Sequence, residues 1–218
     1  MNIWEKTFRD KEWGKYPPEE LIRAVCEYTK DDKTKSVLEM GCGPGANSLF
    51  LNEHFQSYSA IDFSKTAIEK LKSRLSLNQY YKTDEFKVAC FSSLPWGDKS
   101  FDFICDNLAI THNDLNIIKK TLKEVRRVLK EGGLFYSKVW GSSSYGLNTG
   151  ELIEEGTFTK LKDGPCKNYG VSHFFTYKEI KELYGGIFKK ISVEKIQRTK
   201  LSQNENIIEE FIILARKI

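Results

Sequence analysis

Three alternating glycines, Gly41, Gly43 and Gly45, follow a short apolar run and are the sharpest chemical signal in the sequence. An apolar strand, a glycine-rich turn and a helix, in that order, bring a nucleotide-like ligand against bare main chain. Glycine suits such a turn because it takes backbone conformations that residues with a Cβ avoid. Read loosely, Gly41, Gly43 and Ala46 also satisfy the dinucleotide fingerprint. That fingerprint is weak on its own, and a glycine turn without a ligand is the remaining alternative.

Two neighbours of these glycines argue against a dinucleotide. Glu39 stands two residues before the first glycine. Its carboxylate there would attract the ammonium group of a methionine moiety and would repel a pyrophosphate. Pro44 removes one main-chain N–H that a pyrophosphate would use as a donor. The turn therefore favours a ligand with a methionine moiety over NAD.

A parallel sheet with helices on both faces is the architecture that would position this turn. Apolar runs rich in β-branched or aromatic residues alternate with amphipathic segments, which is typical of such a sheet. Two segments near the end of the chain have no helical pattern between them, so we expect them to pair as an antiparallel hairpin. The predicted strands are Ser36–Met40, Tyr58–Ile61, Phe86–Cys90, Phe101–Cys105, Leu134–Trp140 and, for the hairpin, Ile191–Ile196 and Ile207–Ala215.

Helix signals stand between the predicted strands. Ser64 is a good N-cap ahead of apolar residues at three–four spacing. A longer amphipathic run reaches Leu129, and Gly132–Gly133 is predicted to stop it. The other predicted helices begin after Pro17–Pro18 and at the capping-box pattern formed by Thr176 and Glu179.

These motifs resemble those of the class I S-adenosylmethionine-dependent methyltransferases. Glu39-x-Gly41-x-Gly43-x-Gly45 looks like the first motif of that family, which cradles the methionine end of the cofactor. The segment Ala60–Ser64 looks like the second, in which an acidic residue takes both ribose hydroxyls. Leu94–Ile104 and Leu129–Leu134 are similar to the stretches that lead into the fourth and fifth strands. The resemblance covers residues 35–140 well and residues 141–172 not at all.

The resemblance implies a Rossmann-like, seven-stranded, mostly parallel sheet with an antiparallel last strand. It also implies S-adenosylmethionine as the cofactor and S-adenosylhomocysteine as its product. Asp62 suits the ribose because a carboxylate accepts two O–H donors side by side, and a role at a helix N-terminus is compatible with that. Many relatives have Asp where Cys90 stands, so adenine recognition is expected to use main-chain groups near Phe91, or Ser92, or apolar stacking. The predicted cofactor contacts are Trp13, Glu39, Gly41, Cys42, Gly43, Gly45, Asp62, Phe63, Cys90, Phe91, Ser92 and Asp106.

His112 and Asp106 are the predicted catalytic residues. Both follow the fourth predicted strand, at the carboxyl edge where such folds bind substrate. Methyl transfer mainly requires alignment of acceptor, methyl and sulfur, and an oxygen acceptor also requires a base such as His. Helix capping is the alternative for His112, and core packing is the alternative for the aromatic residues. The predicted acceptor-binding residues are Tyr16, His112, Trp140, Tyr145 and His173.

The length predicts one domain over residues 1–218, and the resemblance implies that it is a methyltransferase domain. Within it we expect an N-terminal cap segment at 1–34, a cofactor-binding core at 35–140, and a C-terminal helix and hairpin at 173–218. The segment 141–172 is rich in Gly and Ser but also contains apolar residues, so we expect a lid over the acceptor site. A surface excursion remote from the cleft is the alternative.

The net charge and the spacing of the cysteines limit the classes of partner and the compartment that we expect for this protein. The 34 Lys and Arg against 30 Asp and Glu give a net charge of +4, less than a dedicated nucleic-acid binder usually carries. No run is apolar enough for a membrane span or a signal peptide, and we expect a cytoplasmic protein. The five cysteines are scattered, which indicates free thiols and no metal site. We expect a methyltransferase for a small-molecule acceptor; the alternatives are an RNA or protein methyltransferase and a non-catalytic, cofactor-binding partner subunit.

Overall fold

A computed structural model describes residues 3–30, 32, 34–77, 85–202 and 206–218. Its strands are β1 (Ser36–Met40), β2 (Ser57–Asp62), β3 (Phe86–Val88), β4 (Phe101–Asn107), β5 (Leu129–Trp140), β6 (Glu151–Glu154), β7 (Thr157–Thr159), β8 (Ser172–His173), β9 (Lys190–Lys200) and β10 (Asn206–Arg216). Its helices are α1 (Ile3–Asp10), α2 (Glu19–Thr29), α3 (Ser48–His54), α4 (Lys65–Leu77), α5 (Leu115–Val128) and α6 (Tyr177–Gly185).

The main sheet has seven strands in the order β3-β2-β1-β4-β5-β10-β9. β1 pairs in parallel with β2 and β4, and β3 and β5 extend the parallel part on either side. β10 pairs antiparallel with both β5 and β9. The predicted seven-stranded, mostly parallel sheet with an antiparallel last strand is therefore confirmed.

Helices cover both faces of this sheet. One buried cluster joins the sheet to α5 and α6 through residues such as Ile118 and Ile180. The other joins it to α2, α3 and α4 through Leu21, Leu51 and Leu71. Because the parallel strands are covered on both faces, their carboxyl ends are the part of the sheet available to a ligand. No helix of the described residues is long and apolar enough to cross a membrane.

The junction between α5 and β5 differs from the prediction. The helix ends at Val128, before the predicted glycine stop, and Leu129 already pairs with Phe101 as part of β5. Gly132 has a φ of +75° inside the strand, next to a register shift in the pairing of β4 with β5. The two glycines thus lie in an irregular part of β5. The helix ends at Val128 because the next residue, Leu129, already pairs in the sheet.

Side-chain caps begin three of the helices as expected from their residue types. The Ser64 hydroxyl accepts from the Ala67 amide at 3.1 Å ahead of α4. Thr176 caps α6 by accepting from the Glu179 amide. The second half of that predicted capping box is absent, because the Glu179 carboxylate lies 3.1 Å from Nε2 of His173 instead. The capping residue of α5 is Asp114.

The segment 141–172 folds into a small layer of its own. β6, β7 and β8 form a three-stranded antiparallel sheet, which packs on a core of Leu161, Cys166 and Phe174. The Thr111 hydroxyl, from the 3₁₀ turn after β4, donates to the carbonyl of His173 at 2.5 Å. This layer is therefore fastened beside the carboxyl ends of β4 and β5.

Replacing the α5 cap should destabilise the fold by a defined amount. The Asp114 carboxylate accepts from the Ile117 amide at 2.9 Å, and loss of such a cap costs about 1 kcal/mol. We expect Asp114→Ala to lower the free energy of unfolding by that amount in urea denaturation. Asp114→Asn, which keeps an acceptor oxygen, should lie close to wild type. An Ala variant as stable as the Asn variant would contradict this role.

Candidate active site

The glycine turn after β1 packs directly against the residues that follow β4. Gly41, Gly43 and Gly45 all have positive φ, at +64°, +51° and +88°. A Cβ placed on Gly41 would lie 2.1 Å from the Cβ of Ala109, and one on Gly43 would lie 3.4 Å from the Phe8 ring. All three positions favour glycine for their backbone conformation, and Gly41 also requires it because the Ala109 side chain takes the space of a Cβ.

Asp62, the last residue of β2, faces the same turn. Its carboxylate accepts from the Gly43 amide at 3.0 Å and from the Ser64 amide at 2.8 Å. Burial raises the pKa of Asp62 to about 6, although the main-chain amides oppose that shift. A carboxylate has about four lone-pair sites, so two remain for a pair of hydroxyl donors. Asp62 lines the cavity described next, as its predicted ribose role requires.

A cavity of about 260 Å³ opens above the glycine turn. Its floor is formed by the turn, Asp62 and the residues that end β4. Its walls are mostly aromatic and come from α1, the linker after α1, β5 and the segment 141–172. The full lining is Trp4, Phe8, Trp13, Gly41, Gly43, Asp62, Asn107, Leu108, Ala109, His112, Trp140, Pro165 and Tyr169.

The aromatic walls contact one another across distant parts of the chain. The Trp4 ring stacks on Tyr169 at 5.0 Å between centroids and contacts His112 at 4.7 Å. Trp13 meets both Trp4 and Phe8 edge to face. The cavity is therefore roofed by α1 together with residues of the predicted lid, which the structure places at the carboxyl edge of the strands.

Helix α1 is fastened to α4 by polar contacts. The Glu5 carboxylate accepts from the hydroxyls of Ser64 at 2.6 Å and Thr66 at 2.5 Å. The Lys70 ammonium donates to the carbonyl of Phe8. Since Glu5 lies between the aromatic positions of α1, these contacts also orient the roof of the cavity.

Several predicted cofactor residues lie outside the cavity lining. Glu39 lies behind the turn, where its carboxylate accepts from Asn47 at 2.8 Å and from the Tyr58 hydroxyl at 2.5 Å. Burial raises the pKa of Glu39 to about 7. Its placement supports the turn rather than presenting a carboxylate to a ligand. Cys42 and Gly45 belong to the turn itself but do not line the cavity.

The remaining predicted cofactor residues follow β2 and β3. Phe63 is partly exposed after β2, and Cys90 and Ser92 lie after β3 with their side chains 3.2 Å apart. Phe91 is buried, and its ring would be 3.3 Å from a Cβ on Gly41. Phe91 therefore packs at the turn, and none of these four residues lines the cavity.

Asp106 is a scaffold residue, which corrects its predicted place at the reacting groups. Its carboxylate is fully buried and accepts from the amides of Ala109 and Ile110 and from the Ser137 hydroxyl, each at 2.9 Å. Burial raises the pKa of Asp106 to about 7. The three donors hold the turn that carries His112, and Asp106 itself does not line the cavity.

His112 does line the cavity, but its chemistry differs from the predicted base. Burial lowers the pKa of His112 to about 4, against a main-chain hydrogen bond with Val171 that raises it. Its Nδ1 lies 3.1 Å from the Ser172 hydroxyl. The imidazole is therefore neutral at pH 7 and a weak base.

The predicted acceptor residues divide into two sets. His112 and Trp140 line the cavity, as does Trp13 from the predicted cofactor set. Tyr16 is 84% exposed and lies outside it, as does Tyr145. His173 is buried in the small sheet, where its Nδ1 lies 2.7 Å from the Thr157 hydroxyl. Its position there serves the packing of the layer.

The cavity also has lining residues that the sequence did not predict, among them Trp4, Phe8 and Tyr169 in the wall and Asn107 and Leu108 in the floor. Trp4 and Phe8 are spaced to share one face of α1, a signal that would have identified them as a pair. Leu108 has a φ of +64°, which no local pattern indicates. Two cavity-lining side chains, Asn107 through Oδ1 and Trp140 through Nε1, have buried polar atoms without a hydrogen-bond partner among the described residues. Buried polar atoms of this kind suit a ligand. No group of metal-ligating side chains occurs among those residues.

Fold and cavity together define a Rossmann-like protein with a candidate ligand site at the carboxyl ends of β1, β2 and β4. Residues 37–133 match the family model described as a methyltransferase domain. A structure of a SAM-dependent methyltransferase from Methanosarcina mazei is 26% identical, with a TM-score of 0.68 over 94% of this chain and 99% of that one. The core of the chain therefore matches a methyltransferase domain, and the whole chain is similar in fold to S-adenosylmethionine-dependent methyltransferases.

Curated relatives carry different acceptors in their names. A malonyl-[acyl-carrier protein] O-methyltransferase from Pseudescherichia vulneris is 32% identical over 99 residues, which cover 45% of this chain and 36% of the relative. A human thiol S-methyltransferase is 25% identical over 81% of this chain and 69% of its own length. The chain spans 36% to 40% of the length of several bacterial relatives.

Loosening α1 should be measurable without any ligand. Glu5→Gln removes the charge from the two hydroxyl contacts on α4, and hydrogen bonds to charged groups are stronger than neutral ones. We expect amide exchange in residues 3–10 to rise about tenfold, given a loss of about 1.5 kcal/mol. Glu12→Gln, on the exposed linker after α1, is the matched control and should leave that exchange unchanged. Equal exchange in both variants would show that the aromatic contacts alone hold α1.

Proposed function

We propose that the protein transfers a methyl group from S-adenosylmethionine to an uncharged small-molecule acceptor. The observation that carries this is the roofed cavity, in which the glycine turn and Asp62 face a wall of aromatic side chains. One side of the cavity suits the cofactor and the other suits an acceptor without charge. An enclosed site of this kind aligns two reactants and excludes water.

The residues at the floor fit the cofactor. The turn offers main chain to the methionine portion, and the free lone pairs of Asp62 suit the two ribose hydroxyls. Asn107 Oδ1, a buried acceptor without a partner among the described residues, is available to an ammonium group. Phe63, Phe91 and Ser92 border the place expected for adenine. The cofactor supplies a methyl group on a sulfonium, and the chain supplies position and surroundings.

The wall of the cavity argues for an acceptor without charge. Lys and Arg are absent from the lining among the described residues, so a carboxylate or phosphate acceptor would find no cation there. Burying such an anion without a partner is costly. The malonyl group in the name of the carrier-protein relative carries such a carboxylate, so this site differs from one that accepts it. The thiol acceptor in the name of the human relative is, by contrast, compatible with an uncharged site.

The roof also argues against the macromolecular alternative. α1, Trp13 and Tyr169 stand over the cavity, so an RNA base or a protein side chain would have to displace them. We propose that residues 141–172 act as the lid and supply part of the acceptor selectivity. All five cysteines are free thiols, which suits a reducing compartment such as the cytoplasm.

Cofactor preference tests this function directly. S-adenosylhomocysteine should raise the melting temperature of the protein and NAD should not, since a ligand at 100 times its Kd stabilises by about 2.7 kcal/mol. Labelled methyl groups from S-adenosylmethionine should then pass to members of a small-molecule library. A preference for NAD would end the proposal. Cofactor binding without transfer to any acceptor would support the non-catalytic partner subunit.

Cofactor affinity should depend on the ionisation of Asp62. Because the pKa of this carboxyl is raised to about 6, it is charged at pH 8 and becomes neutral as the pH falls below 6. We expect the affinity for S-adenosylhomocysteine, measured by calorimetry, to fall up to tenfold per pH unit below about 6.

The matched variant is Asp62→Asn. It should weaken binding at pH 8 by about 1.5–3 kcal/mol, roughly 10- to 100-fold, and make the fall in affinity below about pH 6 smaller than in the wild type. Wild-type affinity that stays constant over this range would show that another group holds the ribose.

A further inference from the structure

Strand β9 forms an open edge of the main sheet. It is last in the strand order, and among the described residues it pairs with β10 alone. It is 11 residues long and contains no proline, and its pairing with β10 runs without a register shift. Short edge strands, prolines and bulges are usual means of blocking a sheet edge. β9 lacks all three, so its outer main-chain N–H and C=O groups are available to another strand.

Charge is another means of blocking an edge, and β9 has exposed charged side chains. They include Glu194, Lys195 and Arg198, and the last two are 53% and 54% exposed. Whether these charges repel a second β9 depends on which residues face each other. Two copies related by a two-fold axis perpendicular to the sheet pair antiparallel, and each side chain stays on its own face. The axis therefore passes through one residue, which faces itself across the contact.

Three such registers pair most of the strand, and they are centred on Glu194, Lys195 and Ile196. The first two place a charged residue opposite itself, and like charges directly opposite each other are destabilising. The third places Glu194 opposite Arg198 at two symmetric positions and Lys195 opposite Gln197. The charges of β9 thus oppose two of the long registers of self-pairing and favour the third.

Two further features fit the register centred on Ile196. Arg198 already donates to Glu210 of its own chain through Nη2. A guanidinium has five N–H donors, so others remain for Glu194 of a second copy. Leu201, just beyond β9, is 80% exposed, and this register brings it beside Ile191 of the second copy. The contact would therefore cover an exposed apolar side chain together with the open edge.

We propose that two copies of this chain associate through β9, antiparallel and centred on Ile196, so that their main sheets join into one. The partner is a second copy because the charge pattern of the edge complements itself in this register. β5 and β10 separate β4 from β9, so the contact leaves the cavity open and the inference does not depend on the proposed function. An edge contact is smaller than a standard interface of about 1,600 Å², and we expect a dissociation constant in the micromolar range.

Disulfide cross-linking tests the register. In a background with the exposed Cys26 and Cys90 replaced by Ser, Ile196→Cys places two thiols directly opposite each other. Their Cα atoms would be about 4.5–5.5 Å apart, which a disulfide spans. The matched controls, Lys195→Cys and Gln197→Cys, would place their thiols on a diagonal of about 7–8 Å. Ile196→Cys should cross-link at least tenfold faster than either control. Equal rates, or a faster control, would overturn this register.

Analytical ultracentrifugation tests the association without added cysteines. Glu194→Lys turns both contacts with Arg198 into like-charge pairs and should raise the dissociation constant of the dimer at least tenfold. Because Glu194 is exposed, this variant should melt at the wild-type temperature. Glu69→Lys makes the same charge change on α4, which packs beside β2 and β3 at the other end of the sheet, and should leave the dimer unchanged. A wild-type chain that is monomeric at about 1 mM, or a Glu194→Lys variant that associates as tightly as wild type, would overturn the inference.

Discussion

The hydrogen bond between the Gly43 amide and the Asp62 carboxylate, 3.0 Å long, joins the turn after β1 to the end of β2. The same carboxylate accepts from Ser64, whose hydroxyl in turn donates to Glu5 of α1. Since Gly41 has no side chain, Ala109 at the end of β4 packs directly on the turn. The ends of β1, β2 and β4 and helix α1 are therefore held together around Asp62 and the glycine turn. Anything that displaces Asp62 disturbs the floor of the cavity and the anchoring of its roof together.

Most acidic groups near the site hold the scaffold, and this leaves the cavity itself aromatic. The Asp106 carboxylate accepts hydrogen bonds from the turn that carries His112. The Glu39 carboxylate accepts from Tyr58 and Asn47, and the Glu5 carboxylate accepts from α4. Each is satisfied by hydrogen-bond donors, as buried or partly buried carboxylates require. The lining of the cavity therefore has few charged side chains among the described residues. A reaction that needs alignment and exclusion of water suits such a site better than one that needs a strong base.

The sequence predicted what local pattern controls, namely the alternation of strands and helices, the helix caps, the glycine turn and the placement of Asp62 at the cavity. It did not predict features that depend on distant partners. Glu39 is turned away from the ligand side by a hydroxyl on the neighbouring strand, and His112 becomes a weak base because residues near Ser172 bury it. Trp4 stacks on Tyr169, a partner far along the chain. No spacing rule reports contacts of this kind, because they are set by packing of the whole fold.

The proposed function depends on where the cofactor lies relative to Asp62 and the aromatic wall. The most direct measurement is a crystal structure of the protein with S-adenosylhomocysteine. We expect both ribose hydroxyls within hydrogen-bond distance of the Asp62 carboxylate and the methionine portion against Gly41 and Gly43. The sulfur should face the space between Trp140 and Tyr169. A nucleoside bound elsewhere, or a ribose held by a group other than Asp62, would contradict the account.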